Sequence, residues 1–297
     1  MNTTVLLVDG MAYVYRAFYA IPPMASPEGV PTNATFGFAR MLQRMVNEAA
    51  PDYLAVAFDS REPTFRHAQF EQYKAQRPPM PDELAVQLPW IKEYVAALNI
   101  PCLEYPGFEA DDIIGTVATR AARAQAHTLI ATCDKDLCQL VSPHIAILAM
   151  NLQESEVLDE SGVLAKFGVR PDQIVDYLAL VGDTSDNVPG VPGIGPKTAQ
   201  ALLSQFGSLD AVLAGSAGLK PGVRAKLEEA RPRIGLVRTL LAVHCDVPVR
   251  EELDDLRVRE PQVDRLAQVR VKLGFRSPAD AQPAKPARLA EPQPELF

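Results

Sequence analysis

Short apolar runs, most of them followed by an aspartate, recur along the first half of the chain. Runs of this length bounded by polar turns are typical of buried strands. The stretches between them carry apolar residues at helical spacing. This alternation predicts an α/β fold with a mostly parallel central sheet and helices on both faces. The predicted strands span residues 3–8, 53–58, 127–132 and 145–150, and the predicted helices span 36–46, 83–98 and 109–124.

Two further changes of pattern divide the chain. Residues 61–81 are polar, basic and aromatic and end in a proline-rich run, which predicts a loop or short helices protruding from the body. Beyond Gly162 the periodicity is helical, and the tail at 277–297 has little to bury, so we expect it to be disordered. The later helices are predicted at 198–206, 219–243 and 261–273. The predicted units are an α/β core at 1–170 with a protruding arch near 61–98, a helical region at 171–276 and a tail at 277–297.

The composition is that of a globular protein, with 47% hydrophobic and 22% charged residues. Its four cysteines show neither metal-ligand nor disulfide spacing, so we expect reduced residues of a cytoplasmic protein. No apolar run approaches the roughly 20 residues that cross a bilayer. Residues 1–4 lack the basic segment of a signal peptide. We therefore expect no membrane association.

The net charge of −8 argues against a nucleic-acid partner, for which a basic balance is expected. Residues 190–245, however, contain seven basic and three acidic residues, a local net charge of +4. Many of the acidic residues stand elsewhere, at turns where they would bind cations. A bound divalent ion reverses the local electrostatic sign, so the overall charge does not exclude DNA binding.

Nine acidic residues stand at predicted turns or helix starts. Those that follow parallel strands should meet at the carboxyl edge of the sheet, where ligand sites form in such folds. Carboxylate oxygens are the ligands that Mg²⁺ prefers, and two ions about 4 Å apart can clamp a phosphodiester. The sequence therefore predicts a two-metal site. The nine residues are Asp9, Asp59, Glu109, Asp111, Asp112, Asp134, Asp136, Asp183 and Asp186.

Each acidic group also has an interpretation without a metal. A lone aspartate after a strand is commonly a turn former or a helix cap. Residues 134–136 would then be a solvated turn and residues 183–186 an aspartate-rich loop. Acids at 109–112 would simply favour the positive end of a helix. Their joint placement at strand ends favours the metal site over separate coincidences.

Residues 191–199 have the form of a helix–hairpin–helix element. Gly193 and Gly195 flank one apolar residue, which predicts a tight turn whose backbone N–H groups face a phosphate. Lys197 would add positive charge, and Thr198 begins the next helix; such an element reads no base. The alternative is an ordinary glycine-rich loop that caps this helix. The extended Gly-Ile-Gly-Pro-Lys-Thr-Ala pattern favours DNA binding.

Together these segments resemble the 5′ nuclease family, which includes the N-terminal domain of bacterial DNA polymerase I, phage 5′ exonucleases and flap endonucleases. The similarity runs from about residue 5 to residue 273. The run 77–81 is most similar to the polymerase I branch, whereas Cys133 stands where that branch often has glycine or alanine. The matching segments are 7–10, 15–17, 58–59, 64–66, 73–81, 107–112, 134–136 and 182–195. The resemblance implies a PIN-like 5′ nuclease fold.

The resemblance also implies two Mg²⁺ ions, for which Mn²⁺ would substitute. Asp183 and Asp186 would complete the second metal cluster, and the other seven acids would serve the first cluster and the bridge. Lys74 and Arg77 of the arch would contact the scissile phosphate and, with Asp112, act in catalysis. Further DNA contacts would come from Arg16, Arg66 and Tyr73. A K⁺ ion is expected near the hairpin, at residues 188–195.

The last five residues resemble the short peptides by which bacterial replication proteins bind the sliding clamp. A flexible tail would present Gln293, Leu296 and Phe297 to an apolar groove. The alternative is a chance apolar ending. No polymerase follows, so we expect a standalone nuclease in which clamp binding replaces the tether that a fused polymerase gives.

We therefore expect a monomeric, metal-dependent 5′-3′ exonuclease and 5′-flap endonuclease. Its substrates would be DNA with flaps, nicks or 5′ ends, including RNA primers, in replication and repair. One alternative is a PIN-like ribonuclease, which a comparison of substrates would distinguish. Another is a non-catalytic junction-binding protein, which would show no Mg²⁺-dependent turnover.

Overall fold

The computed structural model describes residues 3–151 and 153–275. Six strands form one sheet in the order β3-β2-β1-β4-β5-β6, in which the first five are parallel and β6 runs antiparallel to β5. The strands are β1 (Thr4–Asp9), β2 (Tyr53–Ala57), β3 (Cys102–Leu103), β4 (His127–Ala131), β5 (Ile145–Met150) and β6 (Ser155–Leu158). The predicted mostly parallel sheet is confirmed. The pattern missed the two edge strands because β3 has only two residues and β6 is largely exposed.

The described residues form twelve α-helices. They are α1 (Gly10–Ala20), α2 (Asn33–Ala49), α3 (Phe65–Gln69), α4 (Asp82–Ala85), α5 (Leu88–Ala97), α6 (Ala110–Arg123), α7 (Glu160–Phe167), α8 (Ile174–Val181), α9 (Pro196–Phe206), α10 (Leu209–Ala214), α11 (Pro221–Leu241) and α12 (Val263–Leu273). Helices α1, α2 and α5 bury apolar residues against one face of the sheet, and α6, α8 and α11 contribute to the core on the other face. The single helix predicted at 83–98 is divided into α4 and α5. Pro89 lies in the first turn of α5, where its missing N–H is tolerated.

The sequence predicted that the segment at 61–81 protrudes from the body, but parts of this segment are buried. Its helix α3 is followed by turns that lie against the body of the protein. Both Arg66 and Tyr73 expose only 2% of their surface. Their polar groups are buried because they find partners among the acidic residues, as described below. The prediction of a protruding segment is therefore wrong for these two residues.

Residues 246–275 return from the C-terminal helices to the first half of the chain. Arg257 forms an isolated bridge with Tyr53, and Leu266 and Val269 of α12 pack with Tyr94 of α5. The predicted disordered tail and its clamp-binding residues Gln293, Leu296 and Phe297 lie outside the described residues. Of the helices in the described ranges, none combines the length and apolar character required to cross a bilayer.

Candidate metal centre

The central strands β1 and β4 bring two predicted ligands to one edge of the sheet. Asp9 ends β1 and caps α1, because its Oδ1 accepts a hydrogen bond from the Ala12 amide at 3.0 Å. The hydroxyl of Thr132 donates to Asp9 Oδ2 at 2.9 Å and accepts from the Asp134 amide at 3.0 Å. Thr132 therefore links the carboxylate of Asp9 to the backbone of Asp134. Its position directly after the β4 run was the only signal of this role in the sequence.

Helix α6 begins at the same edge. Its Ala110 amide donates to Asp59 Oδ1 at 2.8 Å, so the carboxylate that follows β2 lies against the positive end of this helix. Glu109 is the N-cap residue and is 7% exposed, while Asp111 lies in the first turn. Negative charges at 9, 134 and 109 all act on Asp111. The structure therefore brings together the acids that follow three different strands.

Asp112 differs from the other acids. It is fully buried, and its two oxygens accept from Arg66 Nη1 and Nη2 at 2.8 Å each, from the His244 amide at 2.9 Å and from the Glu109 amide at 3.2 Å. Four donors fill the roughly four lone-pair positions of a carboxylate. These contacts occupy both oxygens of Asp112, and its predicted metal-ligand and catalytic roles stay predictions. The predicted role of Arg66 in binding DNA likewise stays a prediction.

The arch segment reaches the acids through three residues, which make four contacts. The hydroxyl of Tyr73 lies 2.8 Å from Asp186 Oδ2 and 3.0 Å from Glu109 Oε2, and burial with these two charges raises the pKa of Tyr73. Lys74 Nζ donates to Glu109 Oε1 at 2.8 Å, and Arg77 Nη2 donates to Asp186 Oδ1 at 2.6 Å. Lys74 and Arg77 thus lie at the acidic site, as predicted. Tyr73 is a buried bridge between acids, and its predicted contact with DNA stays a prediction.

Lys135 lies between Asp183 of the predicted second cluster and Asp136, which was predicted to serve the first. Its Nζ donates to Asp183 Oδ2 at 2.7 Å and lies 3.5 Å from Asp136 Oδ1. Although burial opposes ionisation of Asp183, hydrogen bonds from Lys135 and Ser185 outweigh it and lower its pKa. Asp136 Oδ1 is buried and accepts no hydrogen bond. Lys135 was not selected from the sequence, although it stands between two of the predicted ligands.

The raised pKa values of four other acids show that too little positive charge lies near them. Burial, with repulsion from Asp59 and Asp134, raises the pKa of Asp9 from 3.8 to about 6. Burial and repulsion from Asp134 raise the pKa of Asp136 to about 8, even though Lys135 opposes the shift. The pKa values of Asp111 and Asp134 are also raised, mainly by burial. Crowded carboxylates of this kind favour either a proton or a cation.

These observations fit divalent cations. Carboxylate oxygens dominate the edge of the sheet, and Asp136 Oδ1, which is buried, accepts no hydrogen bond and lies 3.5 Å from Lys135 Nζ, is an available ligand. Within the described ranges, no three acidic, histidine or cysteine side chains are already closed around a single point. The side chains are instead drawn toward Lys74, Lys135 and Arg77, which supply the positive charge.

The predicted hairpin follows α8. Gly193 has φ of 70°, which only glycine adopts without strain, and Gly195 is the residue before α9. Gly190 packs so tightly on the backbone that an added Cβ would lie 2.3 Å from the Gly182 nitrogen. Lys197 and Thr198 lie in the first turn of α9, and Lys197 is exposed. The turn and the helix start predicted for this segment are both present.

Arg16, the remaining predicted DNA contact, lies on α1. One of its nitrogens, Nη1, donates to the carbonyl of Met150 at 2.7 Å. The side chain is half-buried and is anchored at the end of β5. Its other donors stay available, so the predicted phosphate contact is neither contradicted nor tested.

Comparisons with known proteins agree with this geometry. Residues 4–168 match the family model of the 5′-3′ exonuclease N-terminal resolvase-like domain, and residues 169–264 match that of the 5′-3′ exonuclease C-terminal SAM fold. A 5′-3′ exonuclease of Aquifex aeolicus is 40% identical over 275 residues, covering 92% of this chain and 93% of that protein. DNA polymerase I of Pseudomonas aeruginosa is 43% identical over 280 residues, covering 92% of this chain and 30% of that protein. The chain thus spans about a third of the polymerase I relatives it matches.

Solved structures show the same fold. The 5′-exonuclease of bacteriophage T5 with bound zinc aligns with a TM-score of 0.68 at 17% identity, over 81% of this chain and 90% of that one. A complex of the phage T5 flap endonuclease with DNA and metal ions aligns with a TM-score of 0.64 at 18% identity, over 82% and 89% of the two chains. At this level of identity the similarity concerns the fold.

Proposed function

The chain belongs to the 5′-3′ exonuclease family, and from this premise we propose that it hydrolyses phosphodiesters near the 5′ ends and flap junctions of DNA, with two Mg²⁺ ions held at the carboxyl edge of its sheet. One observation carries the proposal: acids from separate strand ends and from α6 share a buried region in which four of them have raised pKa values. A fold tolerates such repulsion at a functional site more readily than elsewhere.

The ligands follow from the contacts of each acid. We assign the first ion to Asp9, Asp59, Glu109, Asp111 and Asp134, and the second to Asp136, Asp183 and Asp186. Asp112 is omitted because its oxygens are already saturated. The ions would supply an activated water and stabilise the leaving oxygen. Mn²⁺ would serve in place of Mg²⁺, since both take carboxylate oxygens.

The cationic side chains of the arch would exchange partners when the ions bind. Burial alone would lower the pKa of Lys74, but Glu109 and Asp186 outweigh it and raise this pKa, so the ammonium stays charged. With Glu109 and Asp186 engaged as metal ligands, Lys74 and Arg77 would be available to contact the scissile phosphate. Positive donors held at that position stabilise charge that develops on the phosphate. Tyr73 would keep the two halves of the acid cluster together.

Cleavage of a 5′-flap duplex tests the proposal directly. Wild type, Asp111→Asn and Asp172→Asn would be compared in Mg²⁺ and in EDTA. Asp172 is a matched control, because it is an exposed aspartate paired only with Arg170. Cutting that needs Mg²⁺ and is lost in Asp111→Asn alone supports the nuclease. Binding without cutting, in both Mg²⁺ and Mn²⁺, would leave a junction-binding protein.

The hairpin would hold the duplex. The turn at Gly193 and Gly195 leads into α9 with Lys197 exposed beside it, so backbone N–H groups and one ammonium are available to a phosphate. The hairpin carbonyls would also take a K⁺ ion. Replacing K⁺ by Li⁺ at constant ionic strength should weaken binding of the duplex if that ion is part of the interface. Unchanged affinity would remove K⁺ from the proposal.

We also propose that Gln293, Leu296 and Phe297 bind a bacterial sliding clamp. The support is the sequence alone, in which an apolar pair follows a polar approach. A fluorescent peptide of residues 288–297 should bind a purified bacterial clamp, and the peptide with Leu296→Ala and Phe297→Ala should not. Equal binding of both peptides would show that the apolar pair is not the determinant. The cytoplasmic location and monomeric state stay predictions.

A further inference from the structure

Helix α11 ends beside both groups of acids. The end of this helix and the residues that follow it, 240–244, contact the first group through Arg66 and the second through Gln139. Neither contact belongs to a proposed metal ligand. The same helix touches the hairpin region near its middle, where Arg233 Nη2 donates to the carbonyl of Gly190 at 2.8 Å. One rigid element thus connects the proposed DNA-binding and metal-binding parts.

Arg66 makes the first connection with every donor it has. Its Nε donates to the carbonyl of Leu240 at 2.9 Å and Nη2 donates to that of Ala242 at 2.8 Å. The remaining donors reach Asp112, twice at 2.8 Å, and Glu109 Oε2 at 3.3 Å. Five contacts account for the five N–H groups of a guanidinium. Its charge also suits the negative, C-terminal end of a helix.

Gln139 makes the second connection. Its Nε2 donates to the carbonyl of Leu241 at 3.0 Å and to that of Asp136 at 2.8 Å, while its Oε1 accepts from the Val243 amide at 2.9 Å. Two of these hydrogen bonds reach residues 240–244 at the end of α11, and the third reaches the backbone of Asp136. The turn that carries Asp136 is therefore tied to the end of α11.

We propose that Arg66 and Gln139 are positioning residues of the metal centre, which hold its two groups of acids in a fixed relation to the end of α11. This inference rests on the proposed function. Without these hydrogen bonds, the two groups of crowded carboxylates would be free to move relative to the end of α11. Residues that orient metal ligands without touching the metal typically change its affinity about 10- to 100-fold when replaced.

The chain offers a matched control for Gln139. Gln173 Nε2 likewise donates to two carbonyls, of Leu203 at 3.2 Å and Gly207 at 2.9 Å, and its Oε1 accepts from the Arg170 amide at 3.0 Å. Both Gln139→Met and Gln173→Met remove three hydrogen bonds to backbone. Of the two glutamines, only Gln139 contacts the backbone of one of the acids, Asp136. If both variants lose stability but only Gln139→Met loses affinity for Mg²⁺, the loss of affinity is not a consequence of the lower stability.

Calorimetric titration with Mg²⁺ in the absence of DNA is the experiment. Gln139→Met should bind Mg²⁺ at least about 10-fold more weakly than wild type, whereas Gln173→Met should keep the wild-type affinity at a similar melting temperature. Wild-type affinity in Gln139→Met would overturn the inference. Arg66→Lys, which keeps the charge but loses the planar fork, should behave as Gln139→Met does. If wild type itself binds no Mg²⁺, the proposed function fails instead.

Discussion

The guanidinium of Arg66 lies 2.8 Å from each carboxylate oxygen of Asp112, and this pairing separates Asp112 from its neighbour in the sequence. Consecutive residues of a helix do not face the same way. Asp111 therefore points toward the acids at the sheet edge, while Asp112 points toward α11. Two adjacent aspartates thus have different tasks, one as a proposed ligand and one as a structural partner.

Replacing Asp112 should lower the free energy of unfolding, because Asp112 pairs with the buried Arg66. Asp112→Asn leaves the Arg66 charge buried without its partner, and breaking a buried pair in this way costs about 3–5 kcal/mol. Asp172→Asn, which breaks an exposed pair with Arg170, should cost no more than about 1 kcal/mol. Urea unfolding in EDTA measures both. Equal small losses for the two variants would show that the buried pair is not a stabilising contact.

Asp134→Asn should have the opposite effect in the absence of metal. Asp134 repels Asp9, Asp111 and Asp136, so removing its charge relieves repulsion within a buried cluster. In EDTA the melting temperature of the variant should equal or exceed that of wild type. In Mg²⁺ only wild type should gain stability, because only it binds the ion tightly. A variant that melts earlier than wild type in EDTA would contradict the assignment of Asp134 as a ligand.

The raised pKa of Asp136 predicts a dependence on pH. Its folded-state pKa is about 8 against an ordinary 3.8, so this carboxyl favours the folded state below about pH 4, and that contribution is lost as the pH rises through 8. In EDTA, the free energy of unfolding of wild type minus that of Asp136→Asn should therefore decrease between pH 4 and 8. Binding of Mg²⁺ in the same range should release protons.

Asp183 provides an internal comparison, because its pKa is shifted in the opposite direction to that of Asp136. Its pKa is lowered, so its contribution is present above 3.8 and is lost only as the pH falls through its folded value. The difference between wild type and Asp183→Asn should stay level from pH 5 to 8. A level difference for Asp136→Asn as well would show that its carboxyl does not titrate in this range.

Much of this site could be predicted because its residues obey local rules. Asp9, Asp59 and Asp134 each follow an apolar run, and parallel strands place such positions at one edge. Gly193 could be predicted because its conformation, with φ of 70°, suits glycine. The sequence also indicated the sheet and most of its helices, since period and length alone separate a buried strand from an amphipathic helix.

The errors concern residues whose role depends on distant partners. A basic residue in a polar segment predicts exposure, yet Arg66 is buried because acceptors from 43 to 176 positions away surround it. Tyr73 is buried for the same reason, since Asp186 approaches from 113 residues away. Gln139 gave no signal, because amide side chains that bond to backbone carbonyls leave no pattern in the sequence. Such contacts become visible only when the chain has folded.

The hairpin makes a last prediction, about salt. Lys197 is exposed in the first turn of α9 and makes no ion pair with any other residue in the described ranges, so its charge is available to a DNA phosphate. Each phosphate neutralised by a basic residue contributes about −0.9 to the slope of log K against log salt concentration. Lys197→Ala should therefore weaken duplex binding and make this slope shallower by about 1.

Lys272→Ala removes the same charge from α12, where Lys272 lies over the ring of Trp90, and should leave the slope unchanged. Fluorescence anisotropy with a labelled flap duplex, titrated in EDTA at several KCl concentrations, measures both slopes. An equal change in the two variants would mean that DNA responds only to the total charge of the protein, whereas a change confined to Lys197→Ala would place a phosphate at the hairpin.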